Sequence, residues 1–168
     1  MVVLALGSNV GNRLENLRKA AMLLPLDGKE FSPIYESRAL LPSGAPSWWD
    51  TPFLNAVISG GTNLSPTSLL KCAKQIEYSL GRFDHEFWGP RTIDIDLVLW
   101  ENTILDSDAL TLPHKLMHTR DFVLVPTCDI CPQFSHPVLT MSIEALLLAQ
   151  KNVETVKKHP RSYLSQRI

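Results

Sequence analysis

The run Arg91-Thr92-Ile93-Asp94-Ile95-Asp96-Leu97-Val98-Leu99 constrains the fold of this chain more than any other stretch. Its alternation of apolar and other residues has the period of a β-strand with one buried face, and it predicts a strand over 92–100. Ile93, Ile95, Leu97 and Leu99 then share the buried face. Asp94 and Asp96 share the other, about 6.6–7 Å apart along the strand. Aspartate is depleted in strands, and two on one face repel each other. Two readings stand. The pair is the outward side of an ordinary half-exposed strand, or it is a set of hard oxygen donors for Mg²⁺, bridging two ions about 3.5–4 Å apart.

The remaining elements follow from spacing and punctuation. Residues 2–6 read as a buried strand that turns at Gly7-Ser8-Asn9. Residues 12–24 carry Leu14, Leu17, Ala20, Ala21 and Leu24 at helical spacing and stop at Pro25. Residues 31–38 and 53–62 predict strands. Between them, 40–52 is a loop punctuated by Pro42, Gly44, Pro46 and Pro52. Ser65-Pro66 opens a helix with the stripe Leu69, Leu70, Ala73, Ile76 and Leu80, ended by Gly81. Residues 82–90 are a loop, 121–130 are helical despite Pro126, and 142–150 form a short helix capped by Ser142. The order β-α-β-β-α-β predicts an α+β fold: a ferredoxin-like antiparallel sheet with helices on one face and helical additions after it. Residues 1–150 form the domain. Residues 151–168, with Lys151, Lys157, Lys158, Arg161 and Arg167 against Glu154, read as a solvated C-terminal helix and basic tail, or as a linker.

Composition narrows the partners. With 168 residues, 16 Lys+Arg and 17 Asp+Glu, the net charge of −1 argues against a nucleic-acid or membrane-surface partner. No apolar run approaches the ~18 residues of a membrane span, so the expectation is a soluble, cytoplasmic protein. Cys128-Asp129-Ile130-Cys131 has no second pair for a zinc site, and with Cys72 these read as reduced, packed thiols.

Arg82 and Arg91 flank the loop before the acidic strand, and Gly89-Pro90 fixes the backbone ahead of Arg91. The arginine fork matches phosphate oxygens, and carboxylates beside positioned arginines are the toolkit of phosphoryl transfer. No glycine-rich phosphate loop is present, so a nucleotide here is held by side chains and metal. His114, Lys115, His118 and Arg120 form either a second phosphate-binding edge or a polar loop. Gly7 permits close approach of a ligand, or makes a plain turn. Phe53 and Asn55 share one face of a strand. They suit stacking on and bonding to a flat heterocycle, or are a core ring and a capping amide.

These pieces occur in an order that resembles the 6-hydroxymethyl-7,8-dihydropterin pyrophosphokinase family of folate biosynthesis. The carrying segments are L-G-S-N at 6–9, F-L-N-A at 53–56, Q-I-E-Y-S-L-G-R at 75–82, W-G-P-R-T-I-D-I-D-L at 88–97 and L-P-H-K-L-M-H-T-R-D-F-V-L at 112–124. The resemblance covers residues 2–148. It implies transfer of the terminal pyrophosphoryl group of ATP to the pterin hydroxymethyl oxygen, with AMP released. It implies that Asp94 and Asp96 bind two Mg²⁺, and that Arg82, Arg91, His114 and Arg120 contact phosphate oxygens. Lys74, Glu77, Leu97, Thr111 and Lys115 match positions near ATP. Gly7, Phe53, Asn55, Trp88 and Phe122 match a pterin pocket, with the ring between Phe53 and Phe122. In some organisms the family's enzyme is fused ahead of dihydropteroate synthase, and the basic tail is compatible with that.

Three departures stand out. Residues 83–87 are acidic and aromatic where the family often carries basic residues, and Lys74 and Lys115 replace the family's frequent Gln and Tyr. The longer 40–52 loop carries Trp48 and Trp49, as a lid over the pterin or as a partner contact. The alternatives to an enzyme are a non-catalytic ferredoxin-like module that binds a metabolite or docks a domain, and an RNA-binding sheet. Two repelling carboxylates serve neither.

Overall fold

The computed structural model describes residues 1–82, 89–150 and 156–164. In chain order the elements are β1 (Val2–Ser8), α1 (Arg13–Leu23), β2 (Asp27–Phe31), β3 (Pro33–Ser37), β4 (Phe53–Gly61), α2 (Pro66–Ser79), β5 (Asp94–Trp100), β6 (Leu105–Asp106), β7 (Thr111–Leu112), α3 (Asp121–Ile130), α4 (Ile143–Ala149) and β8 (Val156–Tyr163). One antiparallel sheet runs β5-β1-β4-β3-β8, with β2 also on β4. β6 and β7 make a separate small ribbon.

The chain's punctuation explains these limits. Asn12 caps α1, its Oδ1 accepting from the Glu15 N–H at 3.2 Å. Ser65 caps α2 through the Ser68 N–H, with Pro66 in the first turn, and Ser142 caps α4 through the Ala145 N–H. Gly81, at φ +89°, turns the chain back after α2, a conformation other residues adopt only with strain. The Arg82 N–H thereby bonds the Glu77 carbonyl, which sets Arg82 beside the last turn of the helix.

Alternation along β1 divides the interior in two. Val2, Leu4 and Leu6 meet Leu17 and Ala20 of α1 and Leu69, Ala73 and Ile76 of α2 in one core, together with Ile34, Ile58, Ile93 and Ile95. Val3 on the opposite face joins Val57, Met117, Val123, Leu124, Ile143 and Leu146 in a second core under α3 and α4. Helices therefore cover both faces, not one as expected. The apolar faces of α3 and α4 are buried only by claiming the sheet face that α1 and α2 leave open.

Three further expectations change. The strand expected over 31–38 is interrupted at Ser32, where the Ser32 Oγ accepts from the Val57 N–H at 2.8 Å and Pro33 has no N–H to donate. A bulge in β5 sets Val3 opposite Leu99 and Leu4 opposite Leu97, leaving Val98 as the extra residue. Leu99 thus leaves Ile93, Ile95 and Leu97 and joins the second core. Residues 156–163 are neither a helix nor a loose tail: they pair antiparallel with β3 as β8, and Leu164 is buried in the first core. Cys72, Cys128 and Cys131 are free. Burial pushes the Cys131 thiol up to about 12, as for a packed rather than a reactive cysteine.

Candidate active site

The register at the end of β1 sets the floor of a cleft of about 730 Å³. Gly7 stands between Asn55 of β4 and Asp94 of β5. A Cβ there would lie 3.5 Å from both Asn55 Oδ1 and a ring carbon of Phe53, so glycine leaves this space to a ligand. Asp94 and Asp96 line the β5 side, and Phe53 and Asn55 the β4 side. Arg120, Phe122 and Val123 close over them from the start of α3, with the Arg120 guanidinium 5.7 Å from the centre of the Phe122 ring. Asn55 donates through Nδ2 to Ser37 Oγ at 2.9 Å, which leaves its Oδ1 acceptor on the Gly7 side.

β5 is an edge strand, and α2 reaches round that edge to supply charge. The buried Glu77 carboxylate accepts from the Ile95 backbone N–H at 2.6 Å, from Arg82 at 2.6 Å and from Lys74 at 3.0 Å. Arg82 also binds Asp94 Oδ1 at 2.5 Å, and Arg91 binds Asp94 Oδ2 at 3.1 Å. Burial works to raise the Asp94 carboxyl, but Arg82 and Arg91 outweigh it and hold it below the usual carboxylate range. Asp96 has no such ion pair among the described residues. Burial, then the charge of Asp94, pushes it up, against the pull of His114, Lys74 and Arg120. Burial lowers His114, whose Nδ1 accepts from the Leu116 N–H at 3.2 Å. The two aspartates therefore differ: Asp94 is neutralised in advance, while Asp96 is a strained carboxylate that gains from a cation.

Among the described residues no three His, Cys, Asp or Glu gather as a metal cage. The donor set instead fits Mg²⁺, which takes one or two carboxylates and fills its sphere with water and substrate phosphates.

The loop before β4 forms the remaining wall through Arg38, Ala39, Leu40, Leu41 and Trp49. The tryptophan pair divides: Trp49 lines the cleft, while Trp48 is 61% exposed and packs edge-on against it. Asn9 anchors this loop. Its Nδ2 donates to Thr51 Oγ1 at 2.8 Å, and its Oδ1 accepts from the Arg91 N–H at 2.7 Å. Sequence reasoning assigned no role to Asn9, Ser37 or Arg38. The partners of Asn9 lie 42 and 82 residues away, beyond any local pattern, although the residue stands in the L-G-S-N segment and is buried as a polar residue.

Of the expected site residues, Gly7, Phe53, Asn55, Lys74, Glu77, Arg82, Arg91, Asp94, Asp96, Arg120 and Phe122 line this one cleft. Thr111, His114 and Lys115 do not line it. His114 binds the outer edge of β5 through its N–H to the Val98 carbonyl at 2.9 Å. Thr111 bonds Asp106 at 3.1 Å, and exposed Lys115 lies 3.7 Å from the same carboxylate. Leu97 does not line it either: its side chain is buried in the first core, on the face of β5 opposite the aspartates. Trp88 and the 83–87 segment lie outside the described residues.

Comparison with known proteins agrees with this geometry. Residues 3–132 match the family described as 7,8-dihydro-6-hydroxymethylpterin-pyrophosphokinase. The chain is 37% identical over 139 residues to the 2-amino-4-hydroxy-6-hydroxymethyldihydropteridine pyrophosphokinase of Aquifex aeolicus, covering 82% of this chain and 84% of that one. It is 42% identical over 135 residues to a folate synthesis bifunctional protein of Chlamydia caviae, covering 78% of this chain and 30% of the relative. It thus spans under a third of such bifunctional relatives. A Plasmodium falciparum HPPK-DHPS triple mutant shares the fold, with a TM-score of 0.69 at 16% identity, over 94% of this chain and 46% of that one. No described helix is long and apolar enough to cross a membrane. On its sequence and on the residues gathered in this cleft, the chain belongs to the 7,8-dihydro-6-hydroxymethylpterin-pyrophosphokinase family.

Proposed function

We propose that the chain transfers the terminal pyrophosphoryl group of ATP to the hydroxymethyl oxygen of 6-hydroxymethyl-7,8-dihydropterin, releasing AMP, in folate biosynthesis. One observation carries the reading. A single cleft is lined by the Asp94–Asp96 pair with Arg82, Arg91 and Arg120 and also by Gly7, Phe53, Asn55 and Phe122. One side suits a metal-bound triphosphate and the other a planar heterocycle.

Asp94 and Asp96 are the residues to hold Mg²⁺, two ions in this reading, and the metal supplies charge neutralisation at the phosphate oxygens. Arg82 and Arg91 then change partners. Without substrate they are bound to Asp94. With a triphosphate in the cleft, both guanidinium groups would bind phosphate oxygens, and Asp94 would be released to hold a cation. Glu77 keeps Arg82 aimed through the exchange. Arg120 and Lys74 add positive charge at the cleft wall, and Lys74 is better sited than Lys115 to serve as the extra loop cation. Thr111, His114 and Lys115, outside the cleft, are left in this reading for the nucleoside half of ATP. On the other side, Phe53 and Phe122 stack the pterin, and Asn55 Oδ1 accepts from its N–H edge.

The strand run β5-β1-β4-β3 supports a ferredoxin-like core in which β2 and β3 together form the second strand, with β8 added beyond it. A dihydropteroate synthase, fused or associated, is the partner that the P. falciparum HPPK-DHPS structures suggest. Incubation with ATP, Mg²⁺ and the reduced pterin alcohol tests the function. AMP formed only when the pterin is present supports it; ADP, or no nucleotide product, overturns it.

A further inference from the structure

We infer that Ser37 is a positioning residue for the bound heterocycle: its Oγ holds the Asn55 amide so that the acceptor, not the NH₂, is turned to the ligand. This rests on the function proposed above. An asparagine amide offers a carbonyl or an NH₂ according to a half turn of its last side-chain bond, so something must settle which one a ligand meets. Asn55 is buried, and its side chain makes one hydrogen bond, from Nδ2 to Ser37 Oγ at 2.9 Å. Its Oδ1 accepts from no side chain or backbone among the described residues and lies 3.5 Å from where a Gly7 Cβ would stand, at the cleft floor. The closed and unpaired side-chain atoms among the described residues are Arg18 Nε, Trp49 Nε1 and Thr92 Oγ1. Asn55 Oδ1 is not one of them, so this unpaired acceptor is open to solvent on the cleft.

The sheet leaves only the hydroxyl to decide the orientation. Ser37 stands between Phe53 of β4 and Val156 of β8, and Asn55 between Gly7 of β1 and Tyr35 of β3. Both residues thus have a strand on either side, and neither backbone is free to shift. Without Oγ the Asn55 NH₂ has no acceptor inside the sheet. A buried donor left unpaired costs more than an under-satisfied carbonyl, so the amide would turn its NH₂ toward water in the cleft. A ligand N–H would then meet a donor instead of an acceptor.

The consequence is specificity. With Oδ1 outward, the site favours a flat ring carrying an N–H on the edge that faces Asn55. A ring with only bare nitrogens or carbonyls there leaves the acceptor unpaired. Ser37 imposes this choice through Asn55. Because Val156 pairs with Ser37, the C-terminal strand β8 helps to hold it.

Ser37→Thr and Ser37→Val test this, since they match in shape and differ in the hydroxyl. For Ser37→Val the expected pterin Kd, from calorimetry with pterin alone, rises about tenfold, the scale of one neutral hydrogen bond. The pterin KM should rise with it, while kcat and the ATP Kd stay within twofold of wild type. Ser37→Thr should restore the pterin Kd to within twofold. Valine with wild-type pterin affinity, or threonine as weak as valine, overturns the inference. A second readout needs no variant: in ¹⁵N-labelled wild type the NOE from the Asn55 NH₂ to the Ser37 β-protons should persist when pterin is bound. Its loss on binding means that the amide has turned, and also overturns the inference. Should wild type bind pterin but release no AMP, the proposed reaction fails while the role of Ser37 is still decided.

Discussion

Glu77 offers the sharpest quantitative check, because Glu77→Gln and Glu77→Ala remove different things. The three donors converge on one atom: Oε1 takes the Ile95 N–H, Arg82 and Lys74, whereas Oε2 meets Lys74 alone. A glutamine keeps the Oε1 acceptor and turns its NH₂ only toward Lys74, which is half exposed and can swing into water. Arg82 retains Asp94. Burial is the largest influence on the Glu77 carboxyl and lifts it above its ordinary range despite Lys74 and Arg82, so the charge itself is held at some cost. Glu77→Gln should therefore change stability at pH 7 by no more than about 1 kcal/mol. Glu77→Ala orphans the buried Ile95 N–H, about 1–3 kcal/mol, and removes one partner of Arg82, for a total of about 3 kcal/mol. Urea unfolding by linear extrapolation measures both.

The pH dependence has a definite sign. A carboxyl raised in the folded state binds its proton more tightly there than in the unfolded chain. Wild type thus loses stability from this group as pH climbs from the unfolded carboxylate range through the folded value. Glu77→Gln lacks that loss, so it gains on wild type between acid and neutral pH. A glutamine variant as unstable as the alanine one at pH 7, or one that falls behind wild type as pH rises, would refute the reasoning.

Other substitutions give equally definite outcomes. Asp96→Ala removes a carboxylate that burial and Asp94 both disfavour, so Tm should hold or rise while turnover falls by more than about 10³, the scale of several kcal/mol of metal stabilisation; retained turnover with ATP and pterin rejects the metal assignment. Gly7→Ala should fold normally, since its Cβ meets only ordinary contacts, yet raise the pterin Kd by occupying the cleft floor; calorimetry with pterin alone reads this. Asn9→Ala loses its bonds to Thr51 and Arg91, at about 2 kcal/mol of stability, and should weaken both substrates; an effect on only one argues against a shared brace. Gly60→Ala sets a Cβ 2.8 Å from the Asp27 backbone carbonyl, and a Tm equal to wild type would contradict that contact.

Much of the architecture could be read from periodicity because a few elements carry strong local signals. The alternation in β5, the Ser65-Pro66 opening and Gly81 ending of α2, and the Ser142 cap each depend on neighbours within a few residues. What escaped depends on distant ones. The break at Ser32 exists because Val57 lends it a ladder position. β8 hides in a basic stretch whose strand character comes from pairing with β3. Leu97 joins the first core rather than the cleft because alternation along β5 puts it on the face opposite the aspartates. The same holds within the site. The aspartates and arginines announce their chemistry by type, while Asn9 meets Thr51 and Arg91 only once the chain has closed around it.

The outer edge of β5 has a consequence for how this protein fails. An open strand edge invites another chain's strand, and among the described residues no neighbouring strand seals it. The Ile95 N–H is stoppered by Glu77 and the Val98 carbonyl by the His114 N–H. Site residues thus double as guards against self-association. A variant that loses the Glu77 stopper exposes a ladder position on a strongly apolar strand, and its first symptom should be concentration-dependent aggregation rather than slow catalysis. Selection on this chemistry and selection on solubility act on the same side chains.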